Sequence, residues 1–252
     1  MVRIHENNSE LIFVLRQRIK LLPCKSTVSD SLPVLFFGDP FTASVATIGL
    51  NPSKNEYLDR DGSLLMGKRK RFESCVSLGS VKRDQLNADQ ADQAIETMRC
   101  YFDPGKPVYG SYFRHLRNFM IGMNASYERR KGVHLDLVQE VTDPVWSSLC
   151  TLERSRLLEQ DIPFQVWQLE NFKNLEVVVC AGKTVSNEVI KHLRVDIIET
   201  GKMKRLSWWL GLAYLAQRNL RIGGWNYPLD RPTGLGTDGE IQLGELFRRS
   251  VV

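Results

Sequence analysis

The stretch Ser44-Val45-Ala46-Thr47-Ile48-Gly49-Leu50-Asn51-Pro52-Ser53 constrains this chain more than any other. Its first half is a short run of apolar and β-branched residues, the pattern of a strand buried on both faces. Its second half stops that strand abruptly. Gly49 permits either an unusual backbone angle or the close approach of another group. Pro52 has no N–H to give a ladder and holds the residue before it, Asn51, extended. A polar side chain is therefore presented just beyond the carboxyl end of a central strand. In open α/β sheets that edge is where ligands bind. The same ten residues also read as an ordinary strand-to-loop turn, and alone they favour that plainer reading.

The rest of the chain supplies elements in an α/β order. Residues 6–22 carry Leu11, Phe13, Val14, Leu15, Ile19 and Leu22 at helical spacing, an amphipathic helix ended by Pro23. Phe36 and Phe37 begin a short strand before the turn Gly38-Asp39-Pro40, and the first central strand covers 44–50. Residues 54–83 are polar and hold the run Lys68-Arg69-Lys70-Arg71, followed by Phe72. That run reads equally as a solvated, mobile loop or as a phosphate-contacting one. Residues 84–102 form a helix stopped at Asp103-Pro104-Gly105. Tyr109 to Met123 form another, with Ser111 placed as its N-cap and Phe113, Leu116, Phe119 and Met120 on one face. A lone His115 within it is structural.

A second strand runs over 133–139 and a long helix over 151–172, with a break expected at Pro163. A strongly apolar third strand, 175–180, turns at Ala181-Gly182-Lys183 into a helix at 184–193. Strand, glycine turn, helix is the grammar of a parallel sheet. No GxxxxGK[ST] accompanies that turn, which excludes a phosphate loop for nucleotide hydrolysis. Residues 195–218 fit strand or helix. A last strand covers 220–225, and a closing helix about 240–249. The expected fold is a three-layer α/β/α sandwich, one domain over residues 1–252, with a short, mainly parallel central sheet.

Composition narrows the function classes. At 42% hydrophobic and 25% charged, the 252 residues can build a sizeable core. Thirty-four Lys and Arg against 29 Asp and Glu leave +5, which suits an anionic partner. No apolar run reaches the ~20 residues of a membrane span, and residues near Glu6 and Glu10 lack the apolar core of an export signal. The expected location is the cytoplasm, with the nucleoid in a bacterium. Five cysteines, odd in number and without a CxxC pair, suggest neither a disulfide framework nor a zinc knuckle. They read as buried thiols.

Gly49-Leu50-Asn51-Pro52-Ser53 resembles the first motif of the uracil-DNA glycosylase superfamily. It is nearest to the mismatch-specific uracil/thymine branch, which carries Gly-x-Asn-Pro-Gly there. Arg231-Pro232-Thr233-Gly234-Leu235-Gly236 resembles that branch's second motif, Asn-Pro-Ser-Gly-Leu-Ser, between the last strand and the last helix. The resemblance spans roughly residues 44–250; its close matches are the two motifs and the strand at 133–138. It departs at Ser53, where the branch has Gly, and at Arg231, where it has Asn.

The resemblance implies a monofunctional DNA N-glycosylase working in base excision on double-stranded DNA and leaving an abasic site. It implies a monomer that needs neither metal nor other cofactor. The clustered cysteines of the iron–sulfur relatives are missing, so no such cluster is expected. Enzymes of this kind flip the target nucleotide out of the duplex. Asn51 would then position the attacking water. Asn is uncharged and not a general base, so catalysis rests on positioning and leaving-group stabilisation. Arg231 would bind phosphate or stabilise an anionic leaving group. Pro232 and Gly234 shape the loop, Thr233 offers a hydroxyl to phosphate, and Leu235 serves as an apolar wedge. Ser111 and the run Lys68, Arg69, Lys70 and Arg71 would contact the DNA backbone.

Asp136 takes the place of the base-reading Asn of many relatives. A carboxylate only accepts, so it suits the N4 amino group of cytosine better than O4 of uracil. An Asp at a strand end is also satisfied structurally by nearby backbone. Ser53 stands where strict uracil enzymes place a tyrosine against C5 of the base, so a C5 substituent has room. Together they point to a C5-modified cytosine of the kind found in some phage genomes, and so to antiphage defence or repair. Tyr57, Phe72 and Tyr112 are candidate stacking aromatics. The alternative is a non-catalytic DNA-binding protein on the same fold.

Overall fold

The computed structural model describes residues 9–229 and 233–249. Its centre is a six-stranded sheet in the order β2-β1-β3-β6-β5-β4. The strands are β1 (Val45–Gly49), β2 (Gly132–Asp136), β3 (Val177–Ala181), β4 (Asp196–Met203), β5 (Leu206–Leu215) and β6 (Arg218–Trp225). The pairs β2–β1, β1–β3 and β3–β6 are parallel, and β5 and β4 extend the sheet antiparallel. Every residue of β1, β2 and β3 is buried, as near-continuous β-branched runs in a covered parallel sheet require. The register puts Gly49 beside Asp136 and Ala181 beside Trp225. The carboxyl ends of the parallel strands thus share one edge.

The helices are α1 (Ser9–Ile19), α2 (Ala88–Arg99), α3 (Gly110–Gly122), α4 (Thr151–Asn171), α5 (Lys183–Leu193) and α6 (Gly236–Arg249). Neighbouring residues of β6 reveal how they flank the sheet. A side chain at Gly223 would meet Phe247 of α6, and one at Gly224 would meet Ser186 of α5. Successive strand residues face opposite ways, so α5 and α6 cover opposite faces. α4 packs with α5, and α3 with α6. The arrangement is compatible with the expected three-layer sandwich. None of the described helices is long and apolar enough to cross a membrane.

Several expectations are corrected. α1 stops at Ile19, short of Pro23. α4 runs unbroken through Pro163, whose ring points to solvent. The ambiguous segment 195–218 is the β4–β5 hairpin and the start of β6. Residue Tyr109 caps α3 without a side-chain bond, and Ser111 lies in the first turn instead. α6 begins at Gly236, inside the motif expected to precede it. Of the cysteines, Cys75 and Cys180 are buried, whereas Cys150 is exposed. The polar stretch 54–83 folds onto the core, burying Tyr57, Leu65, Phe72, Cys75 and Leu78.

α3 and α6 touch backbone to backbone. A Cβ on Gly122 would land on the carbonyl oxygen of Ile241, and one on Gly244 on that of Phe119. His115 Nδ1 and Asn118 Nδ2 each lie 2.8 Å from the buried Glu240 carboxylate across this crossing, so His115 is structural as expected. Gly122→Ala overpacks the contact and should cost about 1–3 kcal/mol, read as a lowered thermal midpoint. An unchanged midpoint would mean that the helices can part freely.

Candidate active site

At the carboxyl edge of the parallel strands a pocket of about 330 Å³ opens on the α3 side. Its walls include Leu50, Asn51, Pro52 and Ser53 after β1, Glu56 from the next turn, and Tyr109, Tyr112 and Phe113 at the start of α3. His134 and Asp136 of β2, Phe37, Ala181 and Pro228 complete it. The volume sits at the lower end of the roughly 300–1,000 Å³ of small-ligand sites. A larger groove of about 610 Å³ lies at the other end of α3, against Arg117, Asn124 and Glu128, away from the strand ends.

Asn51 is held from behind. Its Nδ2 donates to the Pro52 carbonyl at 3.1 Å and to Thr142 Oγ1 at 3.2 Å. Its amide nitrogen is thereby committed, and Oδ1 is left as the acceptor that can order a water. Ser53 lines the pocket and also caps the following turn, its Oγ accepting from Asn55 N–H at 3.3 Å.

Gly49 serves close approach rather than an unusual angle. A Cβ there would fall on Asp136 Oδ1 and crowd His134 Nε2. The two β2 side chains therefore fold across the end of β1. Asp136 Oδ1 is 3.4 Å from His134 Nε2, and His134 Nδ1 is 2.8 Å from Thr47 Oγ1. Thr47 Oγ1 is in turn 2.7 Å from the Tyr127 hydroxyl. Burial pushes the Tyr127 phenol upward in pKa, so it stays a donor. Tyr127, Thr47 and His134 thus form one hydrogen-bonded chain that ends with Nε2 beside Asp136. Burial raises the Asp136 carboxyl and His134 partly offsets this. Asp136 is thus a buried carboxyl that lines the pocket with His134 and Thr47 behind it.

Glu56 is the other carboxyl of the pocket. It is 2% exposed, and burial pushes it up to about 8 against the opposing effects of Tyr101 and Arg71. The Tyr101 hydroxyl donates to it, 2.9 Å from each oxygen.

The pocket thus gathers Asn51, Ser53, Asp136 and Tyr112 of the residues singled out from the sequence. Tyr57 and Phe72 are elsewhere: each is 2% exposed, they stack on one another at 5.8 Å, and the Tyr57 hydroxyl donates to the Leu32 carbonyl. Neither can stack on a base. The half-buried rings at the pocket are Tyr112 and Tyr109, with the buried Phe37 and Phe113 forming its wall. Leu235 is no exposed wedge but 5% exposed within the core, and Thr233 Oγ1 accepts the Leu235 N–H. Lys204 Nζ donates to the Gly234 carbonyl at 2.7 Å. Arg231 and Pro232 lie outside the described residues. The basic run divides. Lys68 and Arg69 are exposed; Lys70 pairs with Glu73, and Arg71 donates to the Asn55 carbonyl and covers the Tyr109 ring.

The sequence reading missed His134 and Glu56. His134 had a signal, since two residues before Asp136 on a strand is the same face. Glu56 had none, lying in a stretch that reads as polar loop. No protein-family model matches this chain, and no curated protein matches it.

Proposed function

We propose that this protein is a monofunctional DNA N-glycosylase that excises a C5-substituted cytosine and leaves an abasic site. The observation that carries the reading is the pocket itself. It joins Asn51, Asp136 and aromatic rings at the carboxyl edge of a parallel sheet, in a volume suited to one nucleobase. A mainly parallel sheet between helices is in keeping with the uracil-DNA glycosylase architecture that the motifs resemble.

In this reading the flipped base enters between the rings, as base-flipping enzymes require. Asp136 accepts from the N4 amino group, held to that task by His134. Ser53 leaves space beside C5. Asn51 Oδ1 holds the water against C1′, a contribution from positioning rather than from charge. Lys68 and Arg69, both exposed and Arg69 paired with Asp59 at 3.6 Å, supply attraction to phosphate.

The test is a panel of duplexes carrying uracil, thymine, cytosine or a bulky 5-substituted cytosine, with the released base read by mass spectrometry. The substituted cytosine is expected to be released fastest. Uracil released ahead of every cytosine would overturn the choice of base. The support of Asn51 gives a finer check. Thr142→Val removes one acceptor of its amide, and a hydrogen bond is worth about 1 kcal/mol net. Cleavage should slow roughly fivefold with DNA affinity unchanged; an unaltered rate would show that Thr142 does not orient Asn51.

A further inference from the structure

Glu56 is positioned as a carboxylic acid rather than as a carboxylate. It follows Asn51 by five residues, at the end of the turn Lys54–Glu56, and lines the pocket together with Asn51 and Asp136. The Tyr101 hydroxyl accepts the Tyr109 N–H at 3.0 Å, so its own hydrogen goes to Glu56. One hydrogen shared between two oxygens does not satisfy a buried anion. Among the described residues the cation paired with it is Arg71, whose Nε lies at 4.0 Å while the guanidinium also gives to the Asn55 carbonyl and covers the Tyr109 ring, so it offsets the burial only in part. Asp136, with His134 behind it, adds a like charge from β2. A proton on the second oxygen relieves all of this. Burial holding Glu56 near 8 agrees, and leaves it mostly protonated at neutral pH.

We propose that Glu56 is the acid of this site, giving its proton to the departing base, and that the substrate is therefore an aminopyrimidine of the cytosine type. This rests on the glycosylase reading. Uracil departs as an anion whose charge spreads over two carbonyl groups. Cytosine has one carbonyl, and its anion is more basic, so it needs a proton to leave. The step balances. The C1′–N1 bond breaks and its electron pair goes to the base. The Glu56 proton goes to the ring nitrogen or carbonyl oxygen facing it, and the base leaves neutral. Water gives C1′ a new C–O bond, and the proton that water loses restores the acid. Asn51 places the water and Glu56 equips the leaving group, which explains how a site with an uncharged Asn51 handles a difficult base.

The experiment is single-turnover cleavage of a duplex with a bulky 5-substituted cytosine, followed across pH for wild type, Glu56→Gln and Tyr101→Phe. The acid form is required, so wild-type cleavage falls as pH rises through about 8. Glu56→Gln keeps the size and the acceptor for Tyr101 but has no proton to give. It should be roughly 10²–10³-fold slower, with the alkaline fall gone. Tyr101→Phe removes a donor that favours the ionised form, so the fall should move to higher pH. A merely structural Glu56 would not move that limb. A readout independent of cleavage is stability. The folded state holds the Glu56 proton from about pH 4 to 8 where the unfolded chain loses it, so stability present at low pH declines over that range. That share of the decline should vanish in Glu56→Gln. Wild-type cleavage with an unchanged rate and limb in Glu56→Gln overturns this inference alone. Absence of wild-type cleavage on every DNA of the panel overturns the glycosylase reading and this inference with it.

Discussion

Asn51→Ala is expected to end base release while leaving the protein folded and DNA-bound. The side chain is half-buried, and its recorded bonds go to the Pro52 carbonyl and the Thr142 hydroxyl, so its loss uncouples no core contact. What it removes, under the proposed mechanism, is the amide oxygen that positions the water. Losing a preorganised polar group of this kind costs roughly 10²–10³-fold in rate. Single-turnover cleavage gives that figure, and a filter or anisotropy titration gives affinity. A variant that cleaves within about twofold of wild type would remove Asn51 from the chemistry. Equal loss of binding and cleavage would show that the side chain shapes the loop rather than the reaction.

The second large effect lies behind the pocket. Arg83 and Glu140 form a paired bridge, Nη1 to Oε1 at 2.7 Å and Nη2 to Oε2 at 3.0 Å, with both side chains at most 2% exposed. Glu140 also accepts from Thr27 Oγ1, and Thr27 pairs with Thr142, the residue that steadies Asn51. Glu140→Leu strands a buried guanidinium. Breaking such a pair on one side costs about 3–5 kcal/mol, a large share of the roughly 5–15 kcal/mol that holds a domain folded. Denaturant unfolding should record that loss. The double change Arg83→Met with Glu140→Leu should recover most of it, because no charge is then left unpaired. A single variant within about 1 kcal/mol of wild type would mean that water reaches Arg83.

The parallel core was legible because β1 and β3 are runs without a charged residue and rich in Val, Thr and Ile, which a doubly covered sheet demands. The β4–β5 hairpin was not. Trp208-Trp209-Leu210 satisfies a helical period as readily as an alternating one, and pairing with β6 decides the matter. Pro163 misled because a proline on an exposed helix face loses one bond without disturbing packing. Tyr57 and Phe72 looked available because their neighbours are polar. Burial of the 54–83 stretch against the core settles them, and only tertiary structure contains that information.

Within the site, Asn51 and Ser53 from the strand-end motif and Asp136 from the second strand line one pocket at the sheet edge. Glu56 was not legible, because its surroundings, Tyr101 donating to it and Arg71 at 4.0 Å, come from other segments. Nor was it legible that Leu235 turns inward.

The most direct test of the central claim is abasic-site formation. The purified protein, with no metal added, would be incubated with DNA bearing bulky 5-substituted cytosines and with unmodified DNA, then probed with an aldehyde-reactive reagent and alkali. Abasic sites should form on the substituted DNA, roughly 10²–10³-fold more slowly with Asn51→Ala. Tight binding to both DNAs without a single abasic site would contradict it and make the protein a non-catalytic DNA binder.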